Sequence, residues 1–174
     1  MMRGMELSRR ALLAERLRHP PGAGAVLISI KPRYAELIEL GKKRVEFRRR
    51  FPTRWSGGRA LFYVTSPVRA VTMEAWIAGV RRGRPGELWE KFAEMSGVSR
   101  REFEAYFSGA QAGVALVLEG VRRLESAVGL DDPRLRAIGF RPPQSVEVLA
   151  EGSPVLEMLN SWGGPGRGRG RRAW

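Results

Sequence analysis

The spacing of apolar positions changes period several times along the chain, and each change marks an element. From Met5 to Arg18, residues Leu7, Ala11, Ala14 and Leu17 keep helical spacing, and the stretch His19-Pro20-Pro21-Gly22-Ala23-Gly24 then breaks the helix and forms a hinge. The short run Ala25–Ile30, rich in β-branched residues and ended by Lys31-Pro32, predicts a buried first strand. Pro32 at a helix start, Tyr34, Leu37 and Ile38 on one face, and Gly41 past the last apolar residue predict one short helix. Lys42 to Arg50 alternates instead. It reads as a strand with Lys43, Val45, Phe47 and Arg49 on one face and Arg44, Glu46, Arg48 and Arg50 on the other.

Gly57-Gly58 marks a turn into a strand at Ala60–Thr65, and Pro67 separates it from a second, adjacent strand over Val68–Val80. Two helices follow, Glu87–Met95 and Arg100–Phe107, split by Gly97, the second opened by the capping box Ser99/Glu102. Gly113–Leu124 returns to strand composition, and Gly129 to Pro133 reads as a turn in which Asp131 and Asp132 cap a helix rather than seat a cation. Ser145–Leu149 is a last short strand, and Ser153-Pro154 begins a final helix through Leu159. The order predicts an α+β domain over residues 25–160, preceded by a helix and hinge in residues 1–24. Residues 161–174 form an Arg-Gly tail with nothing to bury, predicted to be disordered until it meets a partner.

Composition narrows the chemistry. Of 174 residues, 43% are hydrophobic, enough for one core, yet no apolar run approaches the ~20 residues of a membrane span. The first residues lack the pattern of a secretory signal, so a cytoplasmic protein is expected. With no Cys and one His, a zinc site, a disulfide frame and a Cys or Ser-His relay are excluded or awkward, and no cofactor or metal is expected. The net charge of +13 is uneven: residues 73–160 carry eleven basic and thirteen acidic side chains, so the excess lies in the first 72 residues and the tail. Only Lys31, Lys42, Lys43 and Lys91 are lysines; the other basic residues are Arg, whose planar fork suits phosphate and base edges. A polyanion is the expected partner.

The strongest local pattern is Gly41-x-Lys43-x-x-Glu46-x-Arg48. On a regular strand Glu46 and Arg48 share a face and Lys43 does not, so bringing the three together requires an irregular start to the strand. A carboxylate between two cations is held ionised and can accept from an exocyclic amine while Arg or Lys meets a carbonyl or phosphate. A solvated salt-bridge ladder is the plainer alternative. Thr65 and Ser66 end an apolar strand before a proline, where their hydroxyls either face a pocket or satisfy local backbone. Among the aromatic residues, Trp55, beside Arg54 and the glycine pair, is the one expected to be exposed for base stacking. Trp89, Phe92, Phe103, Tyr106 and Phe107 keep the spacing of helix packing.

Strand, short helix and Gly41-x-Lys43-x-x-Glu46-x-Arg48, followed by Tyr63-Val64-Thr65-Ser66-Pro67, resemble the ASCH (ASC-1 homology) domain, a branch of the PUA-like fold. Leu88-Trp89, Gly97-Val98-Ser99, Phe103 with Tyr106-Phe107 and Gly109, and Phe140-x-Pro142-Pro143-Gln144-Ser145 continue the likeness over residues 25–160. The resemblance implies a small mixed β-barrel with peripheral helices. It implies nucleic-acid binding, most of all RNA, with possible extension to DNA or a modified nucleotide. Lys43, Glu46, Arg48, Thr65 and Ser66 would line a groove, while Lys31, Arg49, Arg50, Arg167, Arg169, Arg171 and Arg172 hold phosphates. A second expectation is enzymatic: one branch similar to this domain hydrolyses acetylated cytidine with a Lys, a Thr and a Glu, and another is nuclease-like. Lys43 falls at that Lys, but Glu46 stands where the Thr belongs, and that branch's Glu has no assigned position here. The third is a protein-interaction or regulatory module.

Overall fold

The apolar runs pair into one six-stranded sheet in the computed structural model, which describes residues 24–163. The strands are β1 (Ala25–Ile30), β2 (Val45–Arg48), β3 (Gly58–Val64), β4 (Ala70–Gly83), β5 (Gly113–Gly129) and β6 (Val146–Leu149), in the spatial order β2-β5-β4-β3-β1-β6. β1 and β3 run parallel, from Ala25↔Arg59 to Ile30↔Val64. Their crossover carries helix α1 (Pro32–Glu39) and β2, and the other pairings are antiparallel. The long β4–β5 ribbon shifts register at Val71/Met73, Glu74/Trp76 and Ile77/Gly79. Each shift adds bend and twist, so the ribbon curls the sheet into a half-barrel.

The inner face packs Val26, Ile28, Phe62, Val64, Met73, Ile77 and Leu116 with Ile38 of α1. The outer face is covered in two places. The hairpin of α2 (Pro85–Ser96) and α3 (Arg100–Phe107) lies on β2 and β5, joining Leu88, Phe92, Phe103 and Phe107 to Val45, Phe47 and Ala115. α4 (Pro133–Ala137) and α5 (Pro154–Gly163) place Leu135, Leu156 and Leu159 over Leu27, Leu61 and Val71. Gly113 permits the first of these contacts: a Cβ there would run into the Phe107 ring.

The α+β architecture read from the sequence is present, with two differences in its strands and the expected cap after β5. The strand expected over Lys42–Arg50 contracts to Val45–Arg48, because the residues after Gly41 (φ 68°) turn inward before pairing begins. β5 runs on to Gly129, since its second half pairs with the start of β4. The Gly129–Pro133 turn leads into α4, and Asp132 Oδ1 caps it by accepting from the Arg134 amide at 2.8 Å. The helix expected at Met5–Arg18, its hinge and the Arg-Gly tail lie outside the described residues. Among those residues, no helix is long and apolar enough to cross a membrane.

Candidate nucleic-acid interface

Register places Glu46 opposite Leu116 and Arg48 opposite Val114, both members of the inner core, so the charged side chains of β2 turn inward. Lys43 reaches them from outside the strand. Its amide donates to Leu37 O (2.9 Å) and the Arg44 amide to Met95 O (2.7 Å), which pins the segment between the ends of α1 and α2. The Lys43 ammonium donates to Val45 O (2.9 Å) and Ser96 O (2.8 Å) and lies 3.1 Å from Glu46 Oε2. The ammonium thus makes two hydrogen bonds to carbonyls and one ion pair to a carboxylate, and the side chain is 2% exposed. Ser96 is the last residue of α2, and Gly97 takes the left-handed conformation (φ 63°) that stops the helix. The cation therefore sits on the negative end of α2. The irregular strand start required by the Lys-Glu-Arg spacing is thus what the chain adopts.

Arg48 holds the other oxygen of Glu46, with Nε 3.0 Å from Oε1. One terminal nitrogen donates to Ser29 O at 2.8 Å and the other to the Ser145 hydroxyl at 3.2 Å. The β1–β6 ladder closes with the Ser29 amide donating to Ser145 O (2.9 Å), and Arg48 takes up the Ser29 carbonyl beyond that point. Arg48 therefore clasps the β2 edge to β1 and β6. The cluster is a buried ion-paired network rather than a solvated ladder, with Arg48 Nε facing Glu46 as an ion pair without a hydrogen bond, and removing any one member leaves buried polar groups without their partners. Tyr34 of α1 stands beside it, its ring 5.4 Å from the Lys43 ammonium and its hydroxyl donating to Glu102 Oε1 at 3.4 Å. Burial and then the Glu102 carboxylate raise the Tyr34 pKa, so the phenol keeps its proton.

The remaining sequence-selected residues fall in three places. Lys31 is exposed after β1, and Thr65 and exposed Ser66 follow β3; the parallel pairing, with the Thr65 amide donating to Ile30 O at 2.9 Å, sets these three at one end of the sheet. Arg49 is turned to the end of α3, donating to Tyr106 O (2.8 Å) and Ser108 O (2.5 Å), while Arg50 is exposed. Arg167, Arg169, Arg171 and Arg172 lie outside the described residues. Trp55, expected to be exposed, is half-buried against the inner core, because the glycine turn folds its ring onto Gly58.

Sequence reasoning missed a second charged network. Glu74, fully buried on β4, is paired with Arg59 Nε at 2.7 Å and with Arg122, and Arg59 also reaches Asn160 of α5. Burial lowers the Arg59 pKa against the pull of Glu74. The available signal was a lone carboxylate within the apolar run Val71–Val80.

The chain is 31% identical over 129 residues to an ASCH domain-containing ribonuclease from Zymomonas mobilis, covering 74% of this chain and 86% of that protein. The chain belongs to the ASCH domain family. The crystal structure of ASCH from Zymomonas mobilis is 29% identical with a TM-score of 0.69, over 78% of this chain and 94% of that one. A serine-to-alanine variant of ZmASCH gives 28% identity and a TM-score of 0.71, over 82% and 99%. A large ribosomal subunit protein uL22 from Ureaplasma parvum is 33% identical over 93 residues, 53% of this chain and 30% of that protein. No protein-family model matches. The half-barrel of this ASCH domain is the PUA-like fold, and the Lys43–Glu46–Arg48 cluster lies within it where its two edges approach.

Proposed function

We propose that this ASCH domain binds RNA where Arg48 spans from β2 to β1 and β6. Arg48 itself carries the reading: its guanidinium is oriented by Glu46 and touches the hydroxyl of exposed Ser145, a weak neutral acceptor that a phosphate oxygen displaces readily. Lys43, buried and held by two carbonyls and the Glu46 carboxylate, acts through Glu46 instead of touching the ligand. Lys31, Arg50, Thr65 and Ser66 supply phosphate and sugar contacts around this point. The name of the Zymomonas relative supports RNA as the ligand.

That name also favours a second reading, in which the bound strand is cut. In attack by a 2′-hydroxyl on its own phosphodiester the O2′–P bond forms as the P–O5′ bond breaks, which needs a cation at the phosphate, an acceptor for the 2′-hydroxyl proton and a donor for the leaving 5′-oxygen. Arg48 provides the cation, solvent water takes the 2′-hydroxyl proton, and the protonated Tyr34 phenol beside the cluster gives its proton to the 5′-oxygen and regains one from water.

End-labelled single-stranded RNA, duplex RNA and the matching DNAs, followed by anisotropy and by gel, test both readings. Arg48→Lys keeps the charge and loses the fork, so it is expected to weaken RNA binding about tenfold while the melting curve shows the domain folded. Parent and variant binding RNA equally well would refute the assignment of Arg48. Cutting by the parent that Tyr34→Phe abolishes supports the second reading; intact RNA throughout removes it and leaves binding alone.

A further inference from the structure

The convex side of the molecule carries a different kind of surface. Between the first turns of α2 and one face of α3, from Arg100 to Phe107, lies a cleft of about 330 Å³, within the size range of small-ligand sites. Its floor is aromatic: Trp89, partly buried, packs on Phe103 with ring centroids 4.9 Å apart, and Phe103 packs on Phe107 at 4.7 Å. Its rim is acidic. Glu90 adjoins Trp89 in the chain, Glu104 adjoins Phe103, and both line the cleft with Arg100.

This pairing is unusual for a chain of net charge +13. Glu90 makes no ion pair among the described residues, and α2 as a whole holds three Glu against one Lys. Glu104 is engaged by Arg100 Nε at 2.8 Å, but those two side chains are 71% and 60% exposed, so the pair is weak and exchangeable. An indole face flanked by carboxylates attracts a flat organic cation: the ring quadrupole holds its face, and the carboxylates accept from its edge. A polyanion meets repulsion here, so this cleft is distinct from the Arg48 region on the inner face.

We propose that the α2–α3 cleft is a binding site for a guanidinium group, stacked on Trp89 and bridged by Glu90 and Glu104, with the Arg100–Glu104 contact giving way to it. The same chemistry arises from a free arginine-like small molecule or from an arginine within a peptide. The site needs neither RNA nor the Arg48 cluster.

The test is titration of the full chain with arginine amide, with a Gly-Arg-Gly peptide and with lysine amide at constant ionic strength, read by ¹⁵N shifts of the α2–α3 amides and the tryptophan indoles. Arginine amide is expected to shift the Trp89 indole and the amides around Glu90 and Glu104 saturably, at least about tenfold more tightly than lysine amide, which lacks the planar fork. A response to the peptide at lower concentration than to arginine amide identifies a peptide arginine as the preferred source; the reverse identifies the free molecule. Trp89→Leu should abolish the response. The double variant Glu90→Gln/Glu104→Gln, which leaves the aromatic packing intact, should weaken it about tenfold. Equal shifts with lysine amide, no saturation, or an unchanged response in the double variant would overturn the proposal.

Discussion

Lys43 shows how a residue's chemistry is legible in sequence while its circumstances are not. The pattern Gly41-x-Lys43-x-x-Glu46-x-Arg48 identified the three charged partners and the irregular strand start that unites them. It could not show that the ammonium also donates to Ser96 O, 53 residues away, which turns an apparent groove residue into a buried strut. Lys43→Met strips partners from Glu46, Ser96 O and Val45 O together. It should cost about 3–5 kcal/mol in urea unfolding, and adding Glu46→Gln should cost less than the sum of the two single changes. A loss below 1 kcal/mol for Lys43→Met would mean that water satisfies these groups. Gly113 is the converse case, a residue chosen for what it lacks. Gly113→Ala drives a methyl into the Phe107 ring, and a loss of about 1–3 kcal/mol is expected from the same measurement.

At the scale of elements, local signals were the dependable ones. Pro32 and Gly41 bounded α1, and Ser99/Glu102 opened α3, because capping depends on residues within one turn of each other. The contraction of β2 and the extension of β5 were hidden, because strand ends are set by partners distant in sequence. Glu102 illustrates how much one cap can connect. It accepts from the Ser99 amide at 2.8 Å and hydroxyl at 2.7 Å, and from Arg33 of α1. The Ser99 bonds first, and Arg33 after them, lower its pKa to about 2, below its ordinary 4.5. A depressed carboxylate stabilises above its unfolded pKa and loses that contribution as pH falls through the folded one. The protection factors of the amides in the first turn of α3, with the intrinsic pH dependence of exchange divided out, should therefore be level above pH 5 and fall between about pH 4.5 and 2. Glu102→Gln should remove that pH dependence and leave the α2 amides unaffected.

For the molecule as a whole, the distribution of charge matters more than its total. Residues 24–163 hold 22 Lys or Arg and 16 Asp or Glu, and several of those cations are committed: Lys43 and Arg48 to Glu46, Arg59 and Arg122 to Glu74, and Arg49 to the end of α3. Composition counted these as potential phosphate contacts, and only the fold distinguishes a cation facing a carboxylate or carbonyl from one facing solvent. The proposed RNA site consequently predicts a modest salt dependence for the domain itself. Each phosphate neutralised on a single strand contributes about −0.7 to the slope of log affinity against log salt. Contacts from Lys31, Arg48 and Arg50 alone give a slope of about −2 for a chain cut after Gly163, whereas the full chain, adding Arg167, Arg169, Arg171 and Arg172, should reach about −5. Arg48→Lys separates these two contributions: it should weaken both chains by the same factor and change neither slope, because charge is kept while the oriented fork is lost. Identical slopes for full and shortened chains would place the phosphate contacts within residues 24–163 and overturn the expected part of the terminal arginines.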